Sequence, residues 1–166
     1  MTKSEIKIAV VAKWESTWYN RNDEVIHVKI LAVDLGLART GLAISDEMEL
    51  LASPIGTVHE RYLPNVADVV AQTAAEHGAR EIVLGSPRNM DGSKGESAER
   101  AESFAVLLRE KTGLPVVLWD ERLTTVSAIG YLNETNVRGK KRKAVVDTVS
   151  ATIILEDYLR SRRNKG

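Results

Sequence analysis

The sequence predicts an α/β domain on a mixed five-stranded sheet, three antiparallel strands then two parallel, with helices on both faces. Three observations predict it. Five short apolar runs read as strands. The first three are joined by connections too short for a crossover, so they pair as a meander. The last two each follow a stretch with helical apolar period, as in a crossover unit.

The elements follow in order. Lys29 to Leu35 is apolar and β-branched enough for a central strand, and Gly36 and Gly41 bracket a tight turn. Arg39 to Ser45 and Leu50 to Val58 are the second and third strands. Pro64 suits a helix first turn, and Val66, Val69, Val70, Thr73 and Ala74 form one apolar face ending at Gly78. Glu81 to Gly85 is a buried strand, and Ser86 to Gly95 a loop. A helix over Ser97 to Lys111 buries Ala101, Phe104, Ala105 and Leu108, stopping at Gly113 before Pro115. Val116 to Trp119 is the fifth strand. Thr124 or Thr125 caps a short helix to about Asn133, then a polar, basic loop runs to Lys143. The last helix spans Ala144 to Leu159, and the residues from Arg160 are read as a frayed basic tail.

The chain has 166 residues, 43% hydrophobic and 28% charged, which suits one globular domain. It has no cysteine, which excludes disulfides, a thiolate nucleophile and cysteine-bound zinc. No run approaches the roughly 18 apolar residues of a spanning helix. The first residues, with Lys3, Glu5, Lys7 and Lys13, lack the pattern of a signal peptide. A cytoplasmic location is the expectation.

Three acids stand at the ends or starts of apolar elements. Asp34 follows Ile30 to Val33, Glu121 follows Val116 to Asp120, and Asp147 lies in the first turns of the last helix. Asp147 shares a helical face with Ala151, Ile154 and Tyr158, which places it inward near the strand ends. A carboxylate on a burying face needs a partner, and a hard divalent cation between the three would serve. Paired ions of that kind clamp the attacking and leaving oxygens of phosphoryl transfer. Ordinary roles stay open for each. Asp34 suits a turn before Gly36, Glu121 an ion pair with Arg122, and Asp147 the positive end of its helix.

Net charge is zero, yet it is unevenly placed. From Arg138 onward there are nine Lys or Arg against three acids, +6, so the remainder is −6. Arg138, Lys140, Lys141, Arg142 and Lys143 lie just before Asp147, where cations can contact phosphate.

At these residues the chain resembles the YqgF family, also called RuvX-like, of the RNase H-like superfamily. The matching blocks are Ala32-Val33-Asp34-Leu35-Gly36, Arg39-Thr40-Gly41 with Ser45-Asp46, Gly85 through Ser93, Trp119 through Thr125, and Arg138 through Asp147. They occur in family order over about Val28 to Leu159. The resemblance implies an RNase H-like fold and a two-metal nuclease using Mg2+ or Mn2+. Asp34, Glu121 and Asp147 are the catalytic acids and metal ligands it implies. Arg39, Arg88, Arg122, Arg138, Lys140, Lys141, Arg142 and Lys143 are the nucleic-acid contacts. The implied function is maturation of the 5′ end of pre-16S rRNA, in contact with ribosomal particles. The alternative is resolution of four-way DNA junctions, which calls for a homodimer; a monomer suffices otherwise.

Two positions depart from the family pattern: Ala38 where a basic residue is usual, and Ser86 in place of a leucine. Residues 1–27 have no counterpart and carry Trp14, Trp18 and Tyr19. A misplaced start and a genuine extension are both open. The domain division is therefore 1–27, extension, and 28–166, nuclease domain with a basic tail. Two further classes compete. An actin-like ATP-binding domain shares the Asp-x-Gly turn but needs two such domains. A non-catalytic ribosome-assembly factor would keep the fold and show normal RNA binding with weak metal binding.

Overall fold

The computed structural model describes residues 26–89, 91–121 and 140–165, with backbone alone over 140–147. The strands are β1 (Ile30–Leu35), β2 (Thr40–Ser45), β3 (Ala52–Val58), β4 (Glu81–Ser86) and β5 (Val116–Asp120). The helices are α1 (Leu63–His77), α2 (Glu96–Thr112) and α3 (Lys140–Lys165). The short helix expected near Thr124 to Asn133, and the aromatics Trp14, Trp18 and Tyr19, lie outside the described residues.

The sheet order is β3-β2-β1-β4-β5. β1, β2 and β3 pair antiparallel; β4 joins β1 and β5 joins β4 in parallel. This is the expected mixed sheet, and its strand alternation sorts the buried apolar side chains into two cores. Leu31, Val33, Leu42, Ile82 and Leu84 pack against Val66 and Val70 of α1 and Phe104 and Leu108 of α2. Ile30, Ala32, Ala43 and Val83 face Ala151, Ile154, Leu155 and Tyr158 of α3.

α1 and α2 end as their glycines dictate, with Gly78 at φ 69° and Gly113 at φ 66°, both left-handed. Val69 was expected on the buried face of α1, but it is exposed and Ala67 is buried in its place. Residue 69 sits roughly 100° from the centre of that face, so its apolar side chain points past the core.

Two expectations for α3 need correction. The basic residues Lys140 to Lys143 are helical, not a loop. Lys and Arg are good helix formers, and that preference outweighs the mismatch of cations with the positive helix end. The residues after Arg160 are not frayed either: α3 continues to Lys165. Arg162 is the reason, because it is 12% exposed and forks onto Glu49, with Nε to Oε2 at 2.6 Å and Nη2 to Oε1 at 2.7 Å.

Around that fork lies a buried polar cluster at the edge where β4 begins. Glu49 also accepts the Val28 N–H at 3.0 Å, and Arg163 donates to the Glu49 carbonyl at 3.1 Å. Glu81 opens β4 and accepts the Tyr158 hydroxyl, with Arg162 Nη1 3.9 Å away. The Tyr158 ring stands edge-on to Trp119, centroids 5.2 Å apart. Burial pushes the Glu81 carboxyl up to about 7; the Tyr158 hydroxyl and Arg162 oppose this, and Glu49 adds to it.

Stability should therefore depend on pH through Glu81. Below about pH 4.5 its carboxyl is neutral both folded and unfolded. Between there and about 7 the unfolded carboxyl ionises while the folded one keeps its proton, so stability falls. The loss is on the order of 3 kcal/mol and levels off at higher pH. Glu81→Gln should remove most of that fall in urea melts run across this range. Parallel wild-type and variant curves would show that Glu81 is already ionised in the fold.

Candidate active site

The C-terminal ends of β1, β4 and β5 share one edge of the sheet, the usual place for a site in open α/β sheets. Strand alternation puts Asp34 on the α3 face, as it does Ile30 and Ala32. It does the same for Glu121, two residues past Trp119. β4 lies between β1 and β5, so a β4 side chain would be expected to separate the acids. The β4 residue at that level is Gly85, one beyond the Val33–Leu84 pair.

Gly85 makes the meeting possible. A Cβ built on it would lie 1.7 Å from Glu121 Oε1 and 2.8 Å from Ile154 Cδ1. The Glu121 carboxyl therefore occupies the space a side chain would fill, and there it hydrogen-bonds Asp34. Burial lifts the Glu121 carboxyl well above the usual range, and the Asp34 charge and hydrogen bond add to the rise. Asp120 contributes a smaller repulsion. Two crowded carboxyls sharing a proton are held against their own electrostatics, as at sites built for a cation.

The turn beyond Asp34 is fixed. The Gly36 N–H donates to the Arg39 carbonyl at 2.9 Å, and Arg100 Nη1 donates to the Gly36 carbonyl at 2.8 Å. A Cβ at Gly36 would sit 2.2 Å from that Arg39 oxygen, so only glycine closes this turn. Arg39 and Arg88 follow β1 and β4 at the same edge. Behind them, Thr57 of β3 meets Thr148 of α3, hydroxyl to hydroxyl at 3.0 Å. That contact fixes α3 one residue after Asp147.

Of the expected acids, then, Asp34 and Glu121 come together. Asp147 is on α3, continuing the buried stripe Ala151, Ile154 and Tyr158 by one turn; its side chain lies outside the described residues. Arg122 and Arg138 lie outside them too, as do the side chains of Lys140, Lys141, Arg142 and Lys143. Among the described residues no group of three His, Cys, Asp or Glu gathers as a metal set. The Asp34–Glu121 pair fits a hard cation on its own chemistry: oxygen donors only, in a space kept clear by a glycine.

Sequence reasoning missed Gly85, Asp120 and the Thr57–Thr148 contact. Gly85 had a signal: a lone glycine ending an apolar strand marks a close approach. Asp120 had one in the strand alternation, which puts it next to Glu121 but on the other face. A hydrogen bond spanning 91 residues had none.

A family model described as RuvX, Holliday junction resolvase, matches residues 28–161. The chain belongs to this family. A RuvX relative from Protochlamydia amoebophila is 43% identical over 141 residues, 81% of this chain and 94% of its own. Another, from Lachnospira eligens, is 40% identical over 139 residues, 82% of this chain and 99% of its own. Both carry the name "Putative pre-16S rRNA nuclease". The structure of Thermus thermophilus RuvC superposes with a TM-score of 0.52 at 8% identity, covering 82% of this chain and 96% of that one. That likeness bears on the fold alone, which is RNase H-like. Ser86, the last residue of β4, is buried.

Proposed function

We propose that this chain is a metal-dependent nuclease that processes the 5′ end of pre-16S rRNA in the cytoplasm. The observation that carries it is the meeting of Asp34 and Glu121 across Gly85 at the C-terminal sheet edge. These two, with Asp147 from α3, would hold Mg2+ or Mn2+. Bound there, such ions lower the pKa of an attacking water and stabilise the leaving oxygen. Asp34 and Glu121 offer the oxygens, and the fixed turn at Gly36 holds Asp34 in place. Arg39 and Arg88, with Arg122 and Arg138 to Lys143, would grip flanking phosphates. The working domain starts at Val28, where the family match begins and the Val28 N–H is tied to Glu49.

The family description favours a second reading, cleavage of four-way DNA junctions. The names of the relatives favour rRNA. One experiment separates them: cleavage of a labelled rRNA precursor and a four-way junction side by side, with Mg2+ and with Mn2+. Cleavage of the precursor alone is the expected result. Symmetric junction cutting by a dimer would replace the rRNA reading. RNA binding without any cleavage would leave an assembly factor.

The basic turn of α3 gives a separate expectation. Replacing Lys140, Lys141, Arg142 and Lys143 with Gln should weaken nucleic-acid binding about equally across sequences. The slope of log affinity against log salt should flatten by roughly two to four units. Unchanged affinity and slope would make these cations a solvated helix end.

A further inference from the structure

The strand register places one more loop at the catalytic edge. Leu35 pairs with Thr40, and Thr40 with Val58, so β3 ends in the same row where β1 ends. One step inside, Asp34 pairs with Gly41 and Gly41 with Thr57. β3 is two strands from β1, roughly 10 Å away. The residues that leave this edge, His59, Glu60, Arg61 and Tyr62, lead into α1.

This loop is held from within. The Glu60 carboxylate accepts the N–H groups of Arg61 at 2.7 Å and Tyr62 at 2.9 Å, and the Asn65 side-chain amide at 3.1 Å. The Tyr62 carbonyl accepts the N–H groups of Asn65 at 3.0 Å and Val66 at 3.1 Å. The Tyr62 backbone is thus fixed on both sides, yet the residue is 63% exposed. The other described aromatics are placed differently: Phe104 and Tyr158 are buried in the two cores, and Trp119 packs on Tyr158. Glu60 spends its charge on the backbone it caps, while His59 and Arg61 face solvent. Leu37, 78% exposed, rises from the neighbouring turn beside Arg39.

A single exposed tyrosine is ordinary on a protein surface. A tyrosine on a preformed loop, next to a cation, in line with a phosphodiester site, is a stacking platform in its chemistry. Every base has a face to stack, and a ring carried on an already fixed backbone has less freedom to lose on binding. We propose that Tyr62 stacks on a base of single-stranded RNA flanking the cleaved bond, with Arg61 and His59 beside the adjacent phosphates. This rests on the nuclease reading and adds to it a substrate feature: an unpaired strand running from Asp34 across the ends of β2 and β3.

The test uses the full chain and a short single-stranded RNA spanning the precursor's cut site, with the same sequence as a duplex for comparison. Binding is followed by fluorescence anisotropy across a salt series. Tyr62→Ala is expected to weaken single-strand binding roughly 5- to 100-fold, the range for loss of one stacked base. The salt slope should not change, because no charge is removed. Tyr62→Phe should stay within about twofold of wild type, since the ring remains. Duplex binding should be the same in all three. Wild-type single-strand affinity in Tyr62→Ala overturns the proposal. So does equal weakening by Ala and Phe, which would assign the hydroxyl, or equal weakening on duplex. If the wild type cuts the precursor while Tyr62→Ala binds normally, the stacking site is wrong and the nuclease reading stands. If the wild type cuts nothing while Tyr62→Ala loses affinity for the single strand alone, the stacking site stands and the nuclease reading falls.

Discussion

Asp34→Asn should lower cleavage at least about a hundredfold and leave the protein folded, in line with the loss of one charge aimed at a transition state. Asn keeps the shape of the side chain and both polar atoms. It removes the negative charge that a divalent ion needs and that Glu121 faces. Thermal stability should hold or rise, because one of two crowded acids no longer repels the other. The measurement pairs a thermal melt with single-turnover cleavage of the rRNA precursor. A folded variant that cuts at the wild-type rate removes the metal-site reading.

Gly85→Ala adds one methyl and should be nearly as damaging, by another route. In open backbone, Gly to Ala stabilises by about 0.4–1 kcal/mol through the unfolded chain. Here the methyl would meet Glu121 Oε1 and Ile154 Cδ1, at 1.7 and 2.8 Å. Glu121 must leave its place beside Asp34, and α3 must give way at Ile154. Overpacking of this kind costs about 1–3 kcal/mol, and misplacing a catalytic group by about 1 Å costs about a hundredfold in rate. The second substitution Ile154→Val separates the two effects. It should restore part of the melting temperature and none of the cleavage, since it frees the helix but not the carboxyl. Full activity in Gly85→Ala would mean that Glu121 works from another position.

The mixture of antiparallel and parallel pairing was legible because it follows from connection lengths. Short links force the antiparallel meander, and the two helical crossovers force the parallel pair. Gly78 and Gly113 marked helix ends because a left-handed residue there is an intrinsic property of glycine. Asp34 and Glu121 were legible as a pair because both end a strand in the expected order. What stayed hidden depends on long-range contact. Arg162 reads as tail because its partner Glu49 is 113 residues away. Glu81 reads as the polar start of a buried strand, and only packing reveals its neighbours Tyr158 and Arg162. Lys140 to Lys143 read as a loop because charge runs usually mark solvent, while helical propensity is the weaker local signal.

The fork from Arg162 to Glu49 and the cover that α3 lays over one sheet face set an order of events in synthesis. Every strand precedes α3 in the chain. As the polypeptide emerges, all five strands can be present while Ile30, Ala32, Ala43 and Val83 still face water and Glu49 awaits Arg162. Only when residue 162 arrives can that face close and Glu49 gain its partner. Asp147 travels on the same helix. Completion of the domain and arrival of Asp147 are thus one step, and a nascent chain halted before α3 would carry Asp34 and Glu121 beside an uncovered sheet face.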